Sequence, residues 1–132
     1  MSTDLTGYKI LIVDDEQDLR EILSEDFSLQ GATVFTAKNG REAFDIAVRE
    51  RPHVILSDVR MPGGDGVELL KRVREVYGSA PPHVFLLTGF SDLKDDEAAL
   101  LGGQGLVSKP FSLKLLRERV VNALHGPPAQ PV

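Results

Sequence analysis

Four polar positions each follow directly on an aliphatic run: the pair Asp14-Asp15, then Asp58, Thr88 and Lys109. Asp14, Asp15 and Asp58 would repel one another strongly if all were ionised in one pocket. A cation resolves that conflict, and oxygen-only ligands suit a hard ion such as Mg²⁺, which takes a few carboxylates alongside a phosphate oxygen. Lys109 offers a point positive charge and Thr88 a hydroxyl donor for the remaining phosphoryl oxygens. With metal, ammonium and hydroxyl around an oxyanion, one carboxylate is left to attack, and a carboxylate nucleophile forming an aspartyl phosphate is established chemistry. Positioning and charge stabilisation would supply most of the acceleration.

Each residue alone has a plainer reading. An acidic pair after a strand often caps a helix, Asp58 could be a turn residue, and Thr88-Gly89 an ordinary strand exit. Lys109-Pro110 could be a solvated charge before a rigid bend. The joint placement separates the readings. The preceding runs, Ile10-Leu11-Ile12-Val13, Val54-Ile55-Leu56, Val84-Phe85-Leu86-Leu87 and Leu106-Val107, are too short for helices and too uniformly apolar for a one-sided sheet. As strands of an open parallel sheet they would end on one edge, where ligands bind.

The elements between them complete the pattern of βα units. A strand from Lys9 to Val13 precedes a helix with Leu19, Ile22, Leu23 and Phe27 on one face, stopped by Gly31. Ala32 to Thr36 makes a second strand. A second helix turns Ala43, Phe44, Ala47 and Val48 inward and must end before Pro52. The third strand runs from about His53 to Ser57. After the turn-forming Met61-Pro62-Gly63-Gly64, Asp65 and Glu68 mark the start of a third helix that buries Leu69, Leu70, Val73 and Tyr77. Pro81-Pro82 leads into strand four, and Ser91 can cap an acidic fourth helix with Asp92, Asp95, Asp96 and Glu97. Gly102, Gly103 and Gly105 precede the short fifth strand. Ser112 caps a last helix with Leu113, Leu116, Val120, Val121 and Leu124 on its apolar face, ended by Gly126-Pro127-Pro128.

Composition fits one soluble domain: 132 residues, 42% hydrophobic and 27% charged. A net charge of −5 argues against non-specific binding to nucleic acid or to a membrane surface. The sequence has no cysteine, which excludes disulfides, thiolate metal sites and cysteine nucleophiles. Met1-Ser2-Thr3-Asp4 lacks the features of a signal peptide and no apolar stretch approaches a membrane span, so a cytoplasmic location is expected.

From Lys9 to about Leu124 the chain resembles the receiver domain of two-component response regulators. The resemblance rests on Ile12-Val13-Asp14-Asp15-Glu16, Ser57-Asp58-Val59-Arg60-Met61-Pro62-Gly63, Leu87-Thr88-Gly89 and Ser108-Lys109-Pro110-Phe111, in that order and spacing. It implies a doubly wound (βα)₅ flavodoxin-like α/β fold with strand order 2-1-3-4-5. It also implies that Asp58 accepts a phosphoryl group from a phosphohistidine on a sensor histidine kinase or histidine phosphotransfer protein. Asp14 and Asp15 would hold Mg²⁺ with Asp58 and the backbone carbonyl of Arg60, while Thr88 and Lys109 read the phosphoryl oxygens. The Lys109-Pro110 bond would be cis. The layout would be an N-terminal extension over 1–8, the receiver over 9–125 and a flexible Pro-rich tail over 126–132.

Within the same resemblance, phosphorylation would alter the face of the fourth helix, fifth strand and fifth helix for an unidentified downstream protein, and the first helix would meet the kinase. Members often carry Tyr or Phe three residues before the lysine; here it is Leu106, so aromatic coupling is not expected in its usual form. His53, His83 and His125 read as structural. Basic residues Lys114, Arg117 and Arg119 could pair with the acidic fourth helix between subunits, giving a monomer or weak homodimer.

Other classes fit less well. A flavin binder would need a glycine- and hydroxyl-rich phosphate loop where Asp14-Asp15-Glu16 stands. An aspartyl phosphatase would place its second acid two residues after the first. A phosphorylation-independent interaction module need not keep Asp58, Thr88 and Lys109, and the receiver part of a longer transcriptional regulator remains an alternative. The expected protein is a signalling phospho-acceptor rather than an enzyme. Phe90, two residues past Thr88, is either a surface aromatic packed under a partner or an obstruction to water that slows hydrolysis of the phosphorylated state. On the second reading dephosphorylation should be faster in Phe90→Ala than in wild type, and an unchanged rate removes the idea.

Overall fold

The computed structural model describes residues 4–59, 66–77, 82–88, 106–108 and 112–125. Within them the aliphatic runs form five parallel strands, β1 (Lys9–Val13), β2 (Thr33–Ala37), β3 (Val54–Asp58), β4 (His83–Thr88) and β5 (Leu106–Ser108). Their order, β2-β1-β3-β4-β5, is the doubly wound order expected from the sequence. The helices are α1 (Gln17–Leu29), α2 (Gly40–Glu50), α3 (Gly66–Tyr77) and a C-terminal helix (Leu113–His125). The expected acidic helix after Ser91, the Met61–Gly64 turn with its Asp65 cap, the Lys109-Pro110 bond and the tail over 126–132 lie outside the described residues.

The topology dictates which helix covers which face. From β1 the chain steps one way to β2, then reverses to reach β3 and β4, and right-handed crossovers place helices of opposite steps on opposite faces. Side chains alternate along β1 accordingly. Leu11 and Val13 join the core under α2 and α3 with Ala43, Ala47, Leu70 and Val73. Ile10 and Ile12 join the other core, with Leu23 and Phe27 of α1 and Leu116 and Val120 of the C-terminal helix. Leu5, ahead of β1, is also fully buried there, its amide donating to the Gln30 carbonyl at 2.7 Å.

Helix ends follow local chemistry. Gly31 adopts φ 99° and terminates α1, where the Ala32 amide donates to the Phe27 carbonyl at 3.2 Å. Asn39 caps α2 by accepting from the Glu42 amide at 2.8 Å. Ser112 caps the C-terminal helix through the Leu115 amide at 3.3 Å. Two apolar residues expected inside lie outward, Ile22 at 49% exposure and Val48 at 44%. A helix lying on a sheet buries a stripe, here Leu23 and Phe27 or Ala43 and Ala47, and each exposed residue sits about 100° round from that stripe.

One cross-fold ion pair departs from the intersubunit pairing considered above. Arg117 is committed within the chain: Nη2 donates to Asp26 Oδ1 at 2.6 Å and Nε to Oδ2 at 3.1 Å, a bidentate tie between the C-terminal helix and α1. The Asp26 hydrogen bond pushes the Arg117 pKa upward. Asp26 is only 12% exposed, so removing one partner strands a largely buried charge. Arg117→Met, which leaves the Asp26 carboxylate without its guanidinium, should lower stability in urea unfolding by about 1–3 kcal/mol. Asp26→Leu combined with Arg117→Met should recover most of that loss, because both charges then leave together.

Candidate functional site

Sheet register alone brings the acids together. Val13 is level with Ser57, so Asp14 and Asp58 occupy the next rung of neighbouring strands. By strand alternation they share the face of Ile12 and Leu56, and adjacent strands lie about 4.8 Å apart. In the structure one carboxylate oxygen each from Asp14, Asp15 and Asp58 lies within 4.8 Å of the others. Asp14 is fully buried and Asp58 is 8% exposed, while Asp15 is exposed and opens the cluster to solvent. Ionised carboxylates this close repel one another, most strongly where burial removes water. The donor set is oxygen only, suited to a hard divalent cation, and among the described residues it is the one such acidic group.

Backbone contacts hold each acid in place. The Asp14 amide donates to the Ala37 carbonyl of β2 at 3.1 Å, and Asp14 Oδ1 accepts from the Glu16 amide at 2.8 Å. Arg20 Nη1 reaches back from α1 to the Asp14 carbonyl at 2.6 Å. At the end of β3, Ser57 Oγ donates to the Asp58 carbonyl at 2.9 Å, and the Gly66 amide donates to the Val59 carbonyl at 2.8 Å. Gly66 begins α3 directly against this strand end. A Cβ built there would lie 2.4 Å from the Asp58 carbonyl oxygen, 3.0 Å from Leu86 Cδ2 and 3.1 Å from Ser57 Oγ.

The sequence reading identified Asp14, Asp15 and Asp58, and the structure brings all three together. It differs in one detail: Asp58 is the last residue of β3 rather than the first after it. Thr88 ends β4 level with Ser108, the last residue of β5. Lys109, Arg60, Phe90 and the side chains of Thr88 and Leu106 lie outside what is described. Ser57, Gly66 and Arg20 were not singled out by sequence. A glycine at the first helical position after a strand-and-turn was a signal for Gly66, since such residues mark close backbone approach. Arg20 carries no comparable signal in one sequence.

Because the atom facing Gly66 is backbone, Gly66→Ala must displace either α3 or the end of β3. Overpacking of this kind costs about 1–3 kcal/mol. Gly66→Ala should lower the thermal midpoint and shift the amide resonances of Asp58 and Val59; unshifted resonances would count against the close approach.

A sequence profile of the response regulator receiver domain matches residues 10–121. Sporulation initiation phosphotransferase F of Bacillus subtilis is 38% identical over 113 residues, covering 85% of this chain and 90% of that protein. Regulatory protein AtoC of Escherichia coli is 40% identical over 117 residues, covering 88% of this chain but 25% of that protein. The response regulator protein TrrA of Thermotoga maritima, solved in complex with Mg²⁺-BeF, is similar at a TM-score of 0.75 and 31% identity, over 86% of this chain and 96% of that one. With its fold, its acidic edge and this match across most of its length, the chain belongs to the response regulator receiver domain family.

Proposed function

We propose that this protein is a single-domain receiver that switches by Mg²⁺-dependent phosphorylation of Asp58. The observation that carries the proposal is the meeting of the Asp14, Asp15 and Asp58 carboxylates on the sheet edge of a receiver-family chain. The donor would be a phosphohistidine on a sensor histidine kinase or histidine phosphotransfer protein. An Asp58 carboxylate oxygen forms the new O–P bond as the N–P bond breaks, and the electron pair of that bond stays on the imidazole nitrogen. Thr88 and Lys109 would donate to the phosphoryl oxygens, and Asp14, Asp15, Asp58 and the Arg60 carbonyl would hold the cation. Bound Mg²⁺ supplies charge neutralisation for the transferred group. TrrA, solved with Mg²⁺-BeF, supports the choice of ion.

The product is a signal, so the chain acts as a phospho-acceptor with slow self-hydrolysis. The changed surface would be the segment after β4, together with β5 and the C-terminal helix, presented to a downstream protein. Coverage of 90% of the sporulation phosphotransferase favours a stand-alone receiver. The match to 25% of AtoC favours a second reading, the receiver part of a longer regulator. Among the described residues no helix is long and apolar enough to cross a membrane.

Intact-protein mass after incubation with acetyl phosphate tests the proposal. One phosphoryl adduct is expected in wild type with Mg²⁺, and none without Mg²⁺ or in Asp58→Asn. No adduct from either acetyl phosphate or a panel of histidine kinases would leave a phosphorylation-independent interaction module.

A further inference from the structure

Asp14 is fixed from three directions. Its amide is held by β2, its Oδ1 by the Glu16 amide in the loop, and its carbonyl by Arg20 of α1. The third contact has a particular place in the sheet. Along the β1–β2 ladder, bonds alternate between the strands, and the Asp14 amide to the Ala37 carbonyl is the last on the β1 side. β2 ends at Ala37, and at the next acceptor, the Asp14 carbonyl, the Arg20 guanidinium donates at 2.6 Å. That carbonyl belongs to the peptide joining Asp14 to Asp15. The peptide is planar, so fixing its oxygen fixes the direction in which the Asp15 Cα leaves Asp14. A charged donor on this one atom therefore orients both acids of the pair.

Arg20 is half-buried and lines a groove of about 430 Å³ with Gln17, Glu21, Ser24, Glu25 and Thr36. Its amide also donates to the Glu16 carbonyl at 3.1 Å, in the first turn of α1. The side chain thus returns from the helix to the strand end that the helix has just left. Glu21 and Glu25 in the same groove offer the plain alternative, a cation merely balancing a solvated acidic face.

We propose that Arg20 is a positioning residue for the metal: by clamping the Asp14 carbonyl it presets the Asp14 and Asp15 carboxylates for a divalent cation. This rests on the reading of the acidic cluster as a Mg²⁺ site. Partners one shell out from a metal ligand are commonly worth 10- to 100-fold in affinity. Arg20 acts on the backbone rather than on a carboxylate, so the lower end applies.

The test is Mg²⁺ titration by calorimetry with no phosphoryl donor, using wild type, Arg20→Met, Arg20→Lys, Glu21→Ala and Asp14→Asn. Methionine keeps an unbranched apolar stem and removes the guanidinium with its charge and donors. Arg20→Met should weaken Mg²⁺ binding by about tenfold. Arg20→Lys, which keeps a charged donor group but not the guanidinium's planar fork, should recover part of the loss, and Glu21→Ala should match wild type. Acetyl phosphate labelling of Arg20→Met should be reduced at low Mg²⁺ and return to the wild-type level at saturating Mg²⁺, separating metal affinity from transfer.

Wild-type affinity in Arg20→Met overturns the clamp, as does a labelling defect that saturating Mg²⁺ does not repair. If Arg20→Met fails to fold by circular dichroism, Arg20→Lys decides, and wild-type affinity at reduced stability assigns Arg20 to structure alone. A wild-type protein that binds Mg²⁺ no better than Asp14→Asn overturns the site reading itself, a different result from intact binding that ignores Arg20.

Discussion

Two carboxylates on one rung of neighbouring parallel strands set the terms for everything around them. The register that levels Val13 with Ser57 leaves Asp14 and Asp58 side by side, nearly out of water, with Asp15 at the rim. A register slip of one residue would turn Asp58 to the opposite face and dissolve the cluster. The apolar alternation that selects the register, Ile10 and Ile12 against one core and Leu11 and Val13 against the other, therefore also selects the site. Hydrophobic burial supplies the free energy that holds the three acids together, and a cation would relieve the repulsion between them when ionised.

Much of this was legible because the informative signals were local and periodic. Short aliphatic runs ending in polar residues marked the strands, Gly31 and Ser112 marked helix limits that the structure bears out, and the alternation of strand and helix pointed to a parallel sheet, whose strand order the resemblance to the receiver family supplied. Asp14, Asp15 and Asp58 followed from their positions at strand ends. What sequence missed depends on three-dimensional approach. Which of Ile22 and Leu23 faces the sheet is decided by the angle at which α1 lies on it. Leu5 has no periodic neighbours, yet it plugs the core because its amide is anchored to Gln30 across the α1 terminus. The commitment of Arg117 to Asp26 joins residues far apart in sequence that only the packed fold brings together.

The residues that support the acids act on the acids' backbone atoms rather than on their carboxylates, which is why their types say little about their roles. Ser57 binds the Asp58 carbonyl, Gly66 lets α3 press against it, and Arg20 holds the Asp14 carbonyl. Each is a small polar, flexible or cationic residue that would pass unremarked on any surface. In place, they constrain the two peptide planes from which the site projects. A site built this way has fewer arrangements to lose when a ligand arrives, and preorganisation of that kind strengthens binding without adding contacts.

The two halves of the cluster are held by different layers of the fold. β1 and Asp14 are tied through Arg20 to α1, on the face shared with the C-terminal helix, whereas the end of β3 is pressed by α3 on the opposite face. A cation shared by Asp14, Asp15 and Asp58 would join these layers at the one edge where their side chains meet. Binding only to the folded state, it would also stabilise that state by mass action, so occupancy of the site and rigidity of the edge would rise together. A phosphoryl group on Asp58 would then arrive at the seam between layers rather than within one. A change of charge there can bias the packing of either face, which is the physical requirement for a switch read at a distance from its chemistry.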